Sequence, residues 1–328
     1  MRHIFLINPV AGNGRAVAFI PQIIDTIKQM NVAYEIHRTI NIGDACRYAR
    51  ERCQQCDEPV RFYACGGDGT VNEVVNGIFG HPHAEIAIIP VGSGNDFVRN
   101  FENKKDFLNI EKQILGEAHA VDTIEYRPFV DETKSHENLP QAGYALNMCN
   151  MGFDAQVAAK AGEIKGKFLK GAGAYIASVG IILSKLKYLS LEVTVDGVDM
   201  PEATYLLAGA ANGRFSGGGF DGMPLARISD GIMDVLLVRA VTRRFFLSIV
   251  KKYHDGTHLE DPRLDGILEH IRCKEATIRS KEEMLLVIDG EPLKVQGVHF
   301  ILHPSSIKLS VPNTSEVSKE IGCAPAKE

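Results

Sequence analysis

Short apolar runs alternate with helically spaced apolar stripes along the first 125 residues. Residues 4–7, 33–38, 60–65 and 85–89 are runs of strand length. Between them, residues 15–30 place Val17, Ile20, Ile23, Ile24 and Ile27 on one helical face, and residues 43–54 read as a second helix. Val71, Val74, Val75 and Ile78 repeat the pattern. Strands separated by helices predict a parallel sheet covered on both faces, a Rossmann-like α/β domain over residues 1–125. The pattern then changes. Residues 127–141 are polar and read as a loop. Residues 144–148, 191–195, 205–211, 233–239, 276–279, 285–288 and 307–311 read as strands, most of them bounded by Gly, Asp or Pro. Helices are expected over 158–187, with a break, and over 243–253. This predicts a β-rich, sandwich-like second domain over residues 126–312, a return of its C-terminal end to the first domain being left open. The polar tail, 313–328, is expected to be frayed.

Length and composition agree with two folded domains. The chain has 328 residues, 45% of them hydrophobic and 23% charged. A net charge of −5 argues against a dedicated nucleic-acid binder. The apolar stretch at the N-terminus ends at Asn8-Pro9, too short for a signal-peptide core. No run approaches the roughly 20 apolar residues of a membrane helix, and a cytoplasmic protein is expected. Seven cysteines are present. Cys53 and Cys56 form one CxxC, with Cys46 and Cys65 nearby, but a zinc site would need a matching second pair of ligands, so reduced thiols are expected.

The candidate chemistry follows the strands. In open parallel sheets ligands sit beyond the carboxyl ends of the strands, and each glycine-rich segment here begins where a strand ends. The first, Asn8-Pro9-Val10-Ala11-Gly12-Asn13-Gly14, leads into a helix and can cradle phosphate with its N–H groups. It half-matches a dinucleotide fingerprint through Gly12 and Gly14. Val17 stands where the third glycine should be, and strand two ends in Arg38-Thr39 rather than in an acid, which argues against a dehydrogenase. Thr39 itself sits at the ligand edge. The third strand runs into Gly66-Gly67-Asp68-Gly69-Thr70-Val71-Asn72, whose glycines permit close backbone approach and whose helix N-terminus suits phosphate. Asp68 would repel a bare phosphate, so it implies a cation or a reacting hydroxyl beside it. The fourth segment, Gly92-Ser93-Gly94-Asn95-Asp96, repeats the turn and adds Ser93 as a donor. Together these predict a phosphoryl-transfer site built on Asn8, Gly12, Gly14, Thr39, Gly66, Gly67, Asp68, Gly69, Thr70, Val71, Asn72 and Ser93.

Asn8-Pro9, Gly66-Gly67-Asp68-Gly69-Thr70 with Asn72-Glu73, and Gly92-Ser93-Gly94-Asn95-Asp96 occur together and in order. In this the chain resembles the diacylglycerol kinase catalytic family, within the group that includes sphingosine and ceramide kinases, and above all its soluble bacterial lipid kinases. Gly217-Gly218-Gly219 with Pro224-Leu225-Ala226 and Asp230-Gly231, then Asp289-Gly290-Glu291, extend the resemblance over almost the whole chain. The resemblance implies a phosphofructokinase- or NAD-kinase-like fold with the nucleotide in an interdomain cleft. It also implies ATP as substrate, Mg²⁺, and a lipid hydroxyl as acceptor. Glu291 matches the family's proton acceptor. Asp68 is the rival base, or else organises water and magnesium. Asp230, with the carbonyls of Arg227 and Ile232, matches a metal position.

Two of these features have a second reading. Asp289-Gly290 between apolar runs is a hairpin signal in its own right. Residues 160–187 carry six lysines against one acid, Glu163, and residues 243–252 are similar in character. Such a helix can lie on an anionic membrane surface or simply pack on the β domain. The alternatives to a lipid kinase are an NAD kinase, which shares the Gly-Gly-Asp-Gly turn, and a non-catalytic lipid or nucleotide sensor. The acceptor lipid and the oligomeric state, a homodimer included, are left open.

Overall fold

In the computed structural model, which describes residues 1–55, 57–129, 141–164, 178–183 and 186–313, the chain divides into two compact units. The first holds residues 1–122 and 304–313 among those described; the second falls within residues 123–303. The first runs β1 (Arg2–Ile7), α1 (Arg15–Ala18), α2 (Ile20–Met30), β2 (Tyr34–Arg38), α3 (Asp44–Gln55), β3 (Val60–Gly66), α4 (Asp68–Ile78), β4 (Ala84–Pro90) and α5 (Ile110–Ile114). Its strands are parallel, in the order β4-β3-β1-β2, and the C-terminal residues Leu309 and Ser310 pair in parallel with Ile86 and Ala87 of β4. Every residue of β3 and β4 is buried, as expected of strands covered on both faces. Phe5, Tyr63 and Ile89 pack with Ile23 and Ile27 of α2 and with Ile110 of α5. On α4, Gly77 lies so close to α3 that a Cβ would meet the Cys46 carbonyl at 2.6 Å.

The single helix expected over 15–30 is two, because Pro21 lies in the first turn of α2. Proline lacks the N–H a helix interior needs and is tolerated only where that group has no partner. On β3, Arg61 is a buried cation. It pairs with Glu85 on β4 and donates to the carbonyls of Gln113 (2.6 Å), Ile114 (2.9 Å) and Gly116 (2.8 Å), closing the C-terminus of α5. A buried charge persists only when it is paired and hydrogen-bonded in this way.

The chain crosses between the units twice, in β5 (Glu117–Phe129) and in the 21-residue β16 (Glu291–Val311). The second unit contains β6 (Gly143–Ala145), β7 (Met148–Gly152), α6 (Phe153–Ile164), β8 (Leu189–Val195), β9 (Val198–Asp199), β10 (Ala203–Ala211), β11 (Phe215–Ser216), β12 (Phe220–Asp221), β13 (Met233–Arg239), α7 (Arg243–His254), β14 (Leu268–Cys273) and β15 (Glu275–Ile288). Its main strands are antiparallel, in the order β14-β13-β10-β7-β15-β16. β8 pairs with both β10 and β15. One face buries Met151, Val193, Tyr205, Leu237, Ile278, Leu286 and Phe300. The other buries Met148, Leu207, Leu236 and Val238 against Phe153 and Val157 of α6 and Phe246 and Tyr253 of α7.

Some elements differ from the sequence reading. Residues 276–279 and 285–288 belong to one strand, β15, whose register slips between Arg279 and Met284. The polar residues Ser280 to Glu283 occupy that irregularity and hide the continuity. β5 and β14 were not expected, since their alternation is weak and their exposed positions are polar. Helix α6 begins at Phe153, earlier than anticipated. Of the basic segment 160–187, residues 165–177, 184 and 185 lie outside the described residues, as do Cys56, 130–140 and the tail from 314.

Within the second unit, Asp154 on α6 is buried and accepts a hydrogen bond from the Tyr253 hydroxyl. Burial pushes its pKa from 3.8 up to about 6, and the tyrosine only partly offsets this. A carboxyl with a raised native pKa binds more protons folded than unfolded. Its contribution to stability is therefore full below about pH 4 and is lost as the pH rises through about 6. Urea unfolding across pH 4 to 7 is expected to show the parent losing up to about 3 kcal/mol relative to Asp154→Asn, in which the dependence disappears.

Candidate functional site

The glycine segments of the first unit converge at the carboxyl ends of its strands. Gly92 lies against Gly67: a Cβ on Gly92 would stand 2.3 Å from the Gly67 Cα and 2.7 Å from its nitrogen. Gly92 N–H donates to Gly66 O (2.9 Å), which locks the two turns together. The first loop joins them. A Cβ on Gly12, whose φ is +58°, would collide with the Val91 carbonyl at 2.0 Å. Asn8 N–H donates to Cys65 O (3.1 Å), and the Asn8 amide donates to the Thr70 hydroxyl (3.0 Å). Gly66 faces that same hydroxyl, which a Cβ would meet at 2.2 Å. Thr39, at the end of β2, donates its N–H to Ile7 O (3.0 Å). The structure thus brings Asn8, Gly12, Thr39, Gly66, Gly67 and Thr70 to one edge of one sheet. Gly14 and the exposed Ser93 lie on the same loops.

Asp68 opens α4 beneath the fourth segment. Its Oδ1 accepts the Phe97 N–H (3.2 Å). Burial raises its pKa, opposed by the N–H groups of Phe97, Asp96 and Asn95. The fourth segment is folded over it by Asn95, in a left-handed conformation (φ +54°), which accepts from Gly92 N–H (3.1 Å) and donates to Gly92 O (2.9 Å). Gly94 leaves room beside Asp68 Oδ2, where a Cβ would sit 2.9 Å away. The N–H groups of Thr70 and Val71 bond to Gly67 O (3.0 and 3.1 Å), so Thr70 brings its hydroxyl to this edge, while the Val71 side chain is buried and Asn72 is half-buried. The result is a glycine-rich cradle beside a carboxyl whose pKa burial raises, which suits the oxygens of a polyphosphate and a hard metal ion.

The second unit holds the remaining candidates. Ile288 pairs with Glu291 across Asp289 (φ +47°) and Gly290 (φ +96°), a two-residue hairpin with both central residues left-handed. The Asp289 carboxylate accepts the N–H groups of Leu146 (2.9 Å), Asn147 (3.0 Å) and Met148 (2.9 Å), and its own N–H donates to Met148 O (2.9 Å). Asp289 thereby fixes the hairpin that presents the exposed Glu291. Asp289-Gly290 signalled the hairpin, which the structure bears out, but not the three N–H partners, which lie more than 140 residues away. Asn147 was missed as well. Its Nδ2 donates to Phe215 O (2.8 Å), and its Oδ1 is buried without a partner among the described residues. Gly217, Gly218 and Gly219 turn between β11 and β12, all with positive φ. Asp230 pairs with Arg272, and its Oδ1 accepts the Ile232 N–H (3.3 Å). Its neighbour Asp234 is fully buried against His270 (2.6 Å). A cation held by Asp230 and the carbonyls of Arg227 and Ile232 must compete with the Arg272 guanidinium.

Comparison with known proteins agrees with this geometry. Residues 2–126 match the family model of the diacylglycerol kinase catalytic domain. Residues 147–311 match that of the YegS C-terminal NAD kinase beta sandwich-like domain. The chain belongs to the diacylglycerol kinase catalytic domain family and is a kinase of the lipid kinase type, for which ATP is the phosphoryl donor. It is 31% identical to a protein from Alcanivorax borkumensis named "Probable lipid kinase YegS-like", over 77% of this chain and 78% of that one. It is 29% identical to a diacylglycerol kinase from Staphylococcus carnosus, over 87% of this chain and 86% of that one. Among solved structures, a diacylglycerol kinase from Bacillus anthracis superposes with a TM-score of 0.69 at 22% identity, covering 96% of this chain and 98% of that chain. An NAD kinase from Archaeoglobus fulgidus in complex with ATP gives a TM-score of 0.50 at 12% identity, covering 95% and 94%. At these identities the two structures establish the fold, an α/β domain and a sandwich-like β domain, shared with these diacylglycerol kinase and NAD kinase structures.

The contact between Gly92 and Gly67 has a direct test. Gly92→Ala forces a methyl group into backbone, and a stability loss of about 1–3 kcal/mol is expected. ATP affinity, followed by calorimetry, should fall at least tenfold. Gly80→Ala, at a positive φ with open space around it, should lose stability while leaving ATP affinity unchanged.

Proposed function

We propose that this protein transfers the γ-phosphoryl group of ATP to the hydroxyl of a diacylglycerol-like lipid in a Mg²⁺-dependent reaction. The observation that carries the reading is the pair of interlocked glycine turns closing over Asp68. Asn8, Gly12, Gly14, Thr39, Gly66 to Asn72 and Ser93 hold the nucleotide, with the turns admitting its phosphates where side chains would exclude them. Asp68 is a hard oxygen donor in a position to organise Mg²⁺ and water. When bound, the ion offsets charge on the β and γ oxygens. Glu291, held out by the Asp289 hairpin, takes the proton of the acceptor hydroxyl as its oxygen attacks phosphorus. Asp230, with the carbonyls of Arg227 and Ile232, is a second magnesium position.

Labelled ATP with Mg²⁺ is supplied in parallel with a mixed lipid extract and with NAD. Label is expected in the organic phase; label found only in NADP would overturn the proposal in favour of an NAD kinase, and no transfer to either would favour a sensor. Glu291→Gln should lower kcat by about 10²–10⁴ with little change in ATP affinity. Near-parent turnover in that variant beside an inactive Asp68→Asn would move the base to Asp68.

A lipid acceptor requires contact with a bilayer from the cytoplasmic side, and α7 is suited to it. Phe246, Ile249 and Tyr253 face the core, while Arg243, Arg244, Lys251 and Leu247, which is 58% exposed, face outward. Such a face suits an anionic interface. Arg243→Glu with Arg244→Glu should weaken sedimentation with phosphatidylglycerol-containing vesicles several-fold at low salt. Unchanged binding would remove α7 from the membrane face.

A further inference from the structure

Cys53, His81 and His83 lie together in the first unit at the amino ends of the strands. They stand a strand length, about 20 Å, from the glycine turns that follow β4. Cys53 is on the last turn of α3 and is 2% exposed. His81 and His83 flank Pro82 in the turn between α4 and β4. The Cys53 sulfur and one nitrogen from each imidazole all lie within 4.8 Å of one another. This is the only such group of three among the described residues. The turn is pinned by its backbone. His81 N–H donates to Ile78 O (3.0 Å), Ala84 N–H to His81 O (3.0 Å) and Val60 N–H to His83 O (3.1 Å). The Lys308 ammonium holds the Pro82 carbonyl (2.6 Å). Within this fixed frame the His83 Nε2 is buried with no hydrogen-bond partner among the described residues. A buried imidazole nitrogen without a partner costs free energy unless something meets it, and an apolar neighbour cannot.

We propose that Cys53, His81 and His83 bind a thiophilic divalent cation of the zinc class. One thiolate and two neutral imidazoles are a typical zinc donor set, and three protein ligands leave a fourth tetrahedral position for water. Bonds of about 2.0–2.3 Å require the donors to draw together to about 3.3–3.6 Å, which side-chain rotation on a pinned backbone supplies. Mg²⁺ takes oxygen ligands, so this site is separate from the magnesium of phosphoryl transfer. The thiol proton leaves to solvent as the sulfur–metal bond forms. Bound metal would tie the end of α3 to the start of β4. Cys56 lies outside the described residues, and the site stands on the other three.

The test uses the full chain, stripped with chelator and titrated with Co²⁺ alone and then with Zn²⁺. Tetrahedral cobalt bands and a sulfur-to-cobalt charge-transfer band are expected, saturating at one equivalent and removed by Zn²⁺. Cys53→Ser should abolish the charge-transfer band. His81→Asn with His83→Asn should weaken Co²⁺ binding at least tenfold. Binding well below one equivalent, or an unchanged charge-transfer band in Cys53→Ser, overturns the proposal, because the sulfur would then belong to another cysteine. If Cys53→Ser fails to fold, His81→Asn keeps the test open, since His81 is only half-buried: unchanged Co²⁺ affinity in that variant overturns the proposal. None of these readings depends on turnover, so they stand or fall apart from the kinase assignment.

Discussion

The architecture of the first unit depends on two stretches of backbone approaching more closely than any side chain allows. Gly92 and Gly67 touch through their α-carbons, and Gly12 fills the space beside the Val91 carbonyl. These contacts draw the ends of β1, β3 and β4 into one surface. Its polar groups include backbone N–H groups, the Thr70 hydroxyl and the amides of Asn8 and Asn95. It also buries the start of α4, which accounts for both the position and the raised pKa of Asp68. A sheet edge without these glycines could still form, but its turns would stand apart and Asp68 would be an ordinary solvated carboxylate.

The second unit solves a different problem with the same economy. There the critical group is a carboxylate, Asp289, which gathers three backbone N–H groups from residues 146–148 and thereby closes a hairpin. Glu291, two residues on, is exposed at the start of the returning strand. The buried Arg61 does comparable work in the first unit, ending α5 with three carbonyl contacts.

The α/β half was legible because its buried strands β1, β3 and β4 are mostly apolar and each leads into a glycine-rich turn, and the site inherits that order. Asn8, Thr39, Gly66 to Thr70 and Gly92 to Asp96 could be placed at one edge from chain order alone. The β half was only partly legible. β15 reads as two strands because its register slip is filled by charged residues, and β14 is masked by Glu269, His270 and Arg272. The split of α1 from α2 was written in Pro21 but obscured by the isoleucine stripe around it. What could not be read were the long-range pairings: Asp289 with residues 146–148, Arg272 with Asp230, and Cys53 with His81 and His83. The cysteine pattern looked for partners in a second CxxC, whereas those the fold supplies are histidines on another element.

The first unit is not a single stretch of chain. The strand that lies beside β4 comes from the last described part of the sequence, residues 304–311. During synthesis the parallel sheet of the first unit must therefore wait with one edge of β4 unpaired while all of residues 123–303 are made. An open parallel edge is a template for association with another chain. The nascent protein is thus most exposed to misassembly for the whole time its second unit is being translated, and truncation near the C-terminus damages the sheet that carries the N-terminal site.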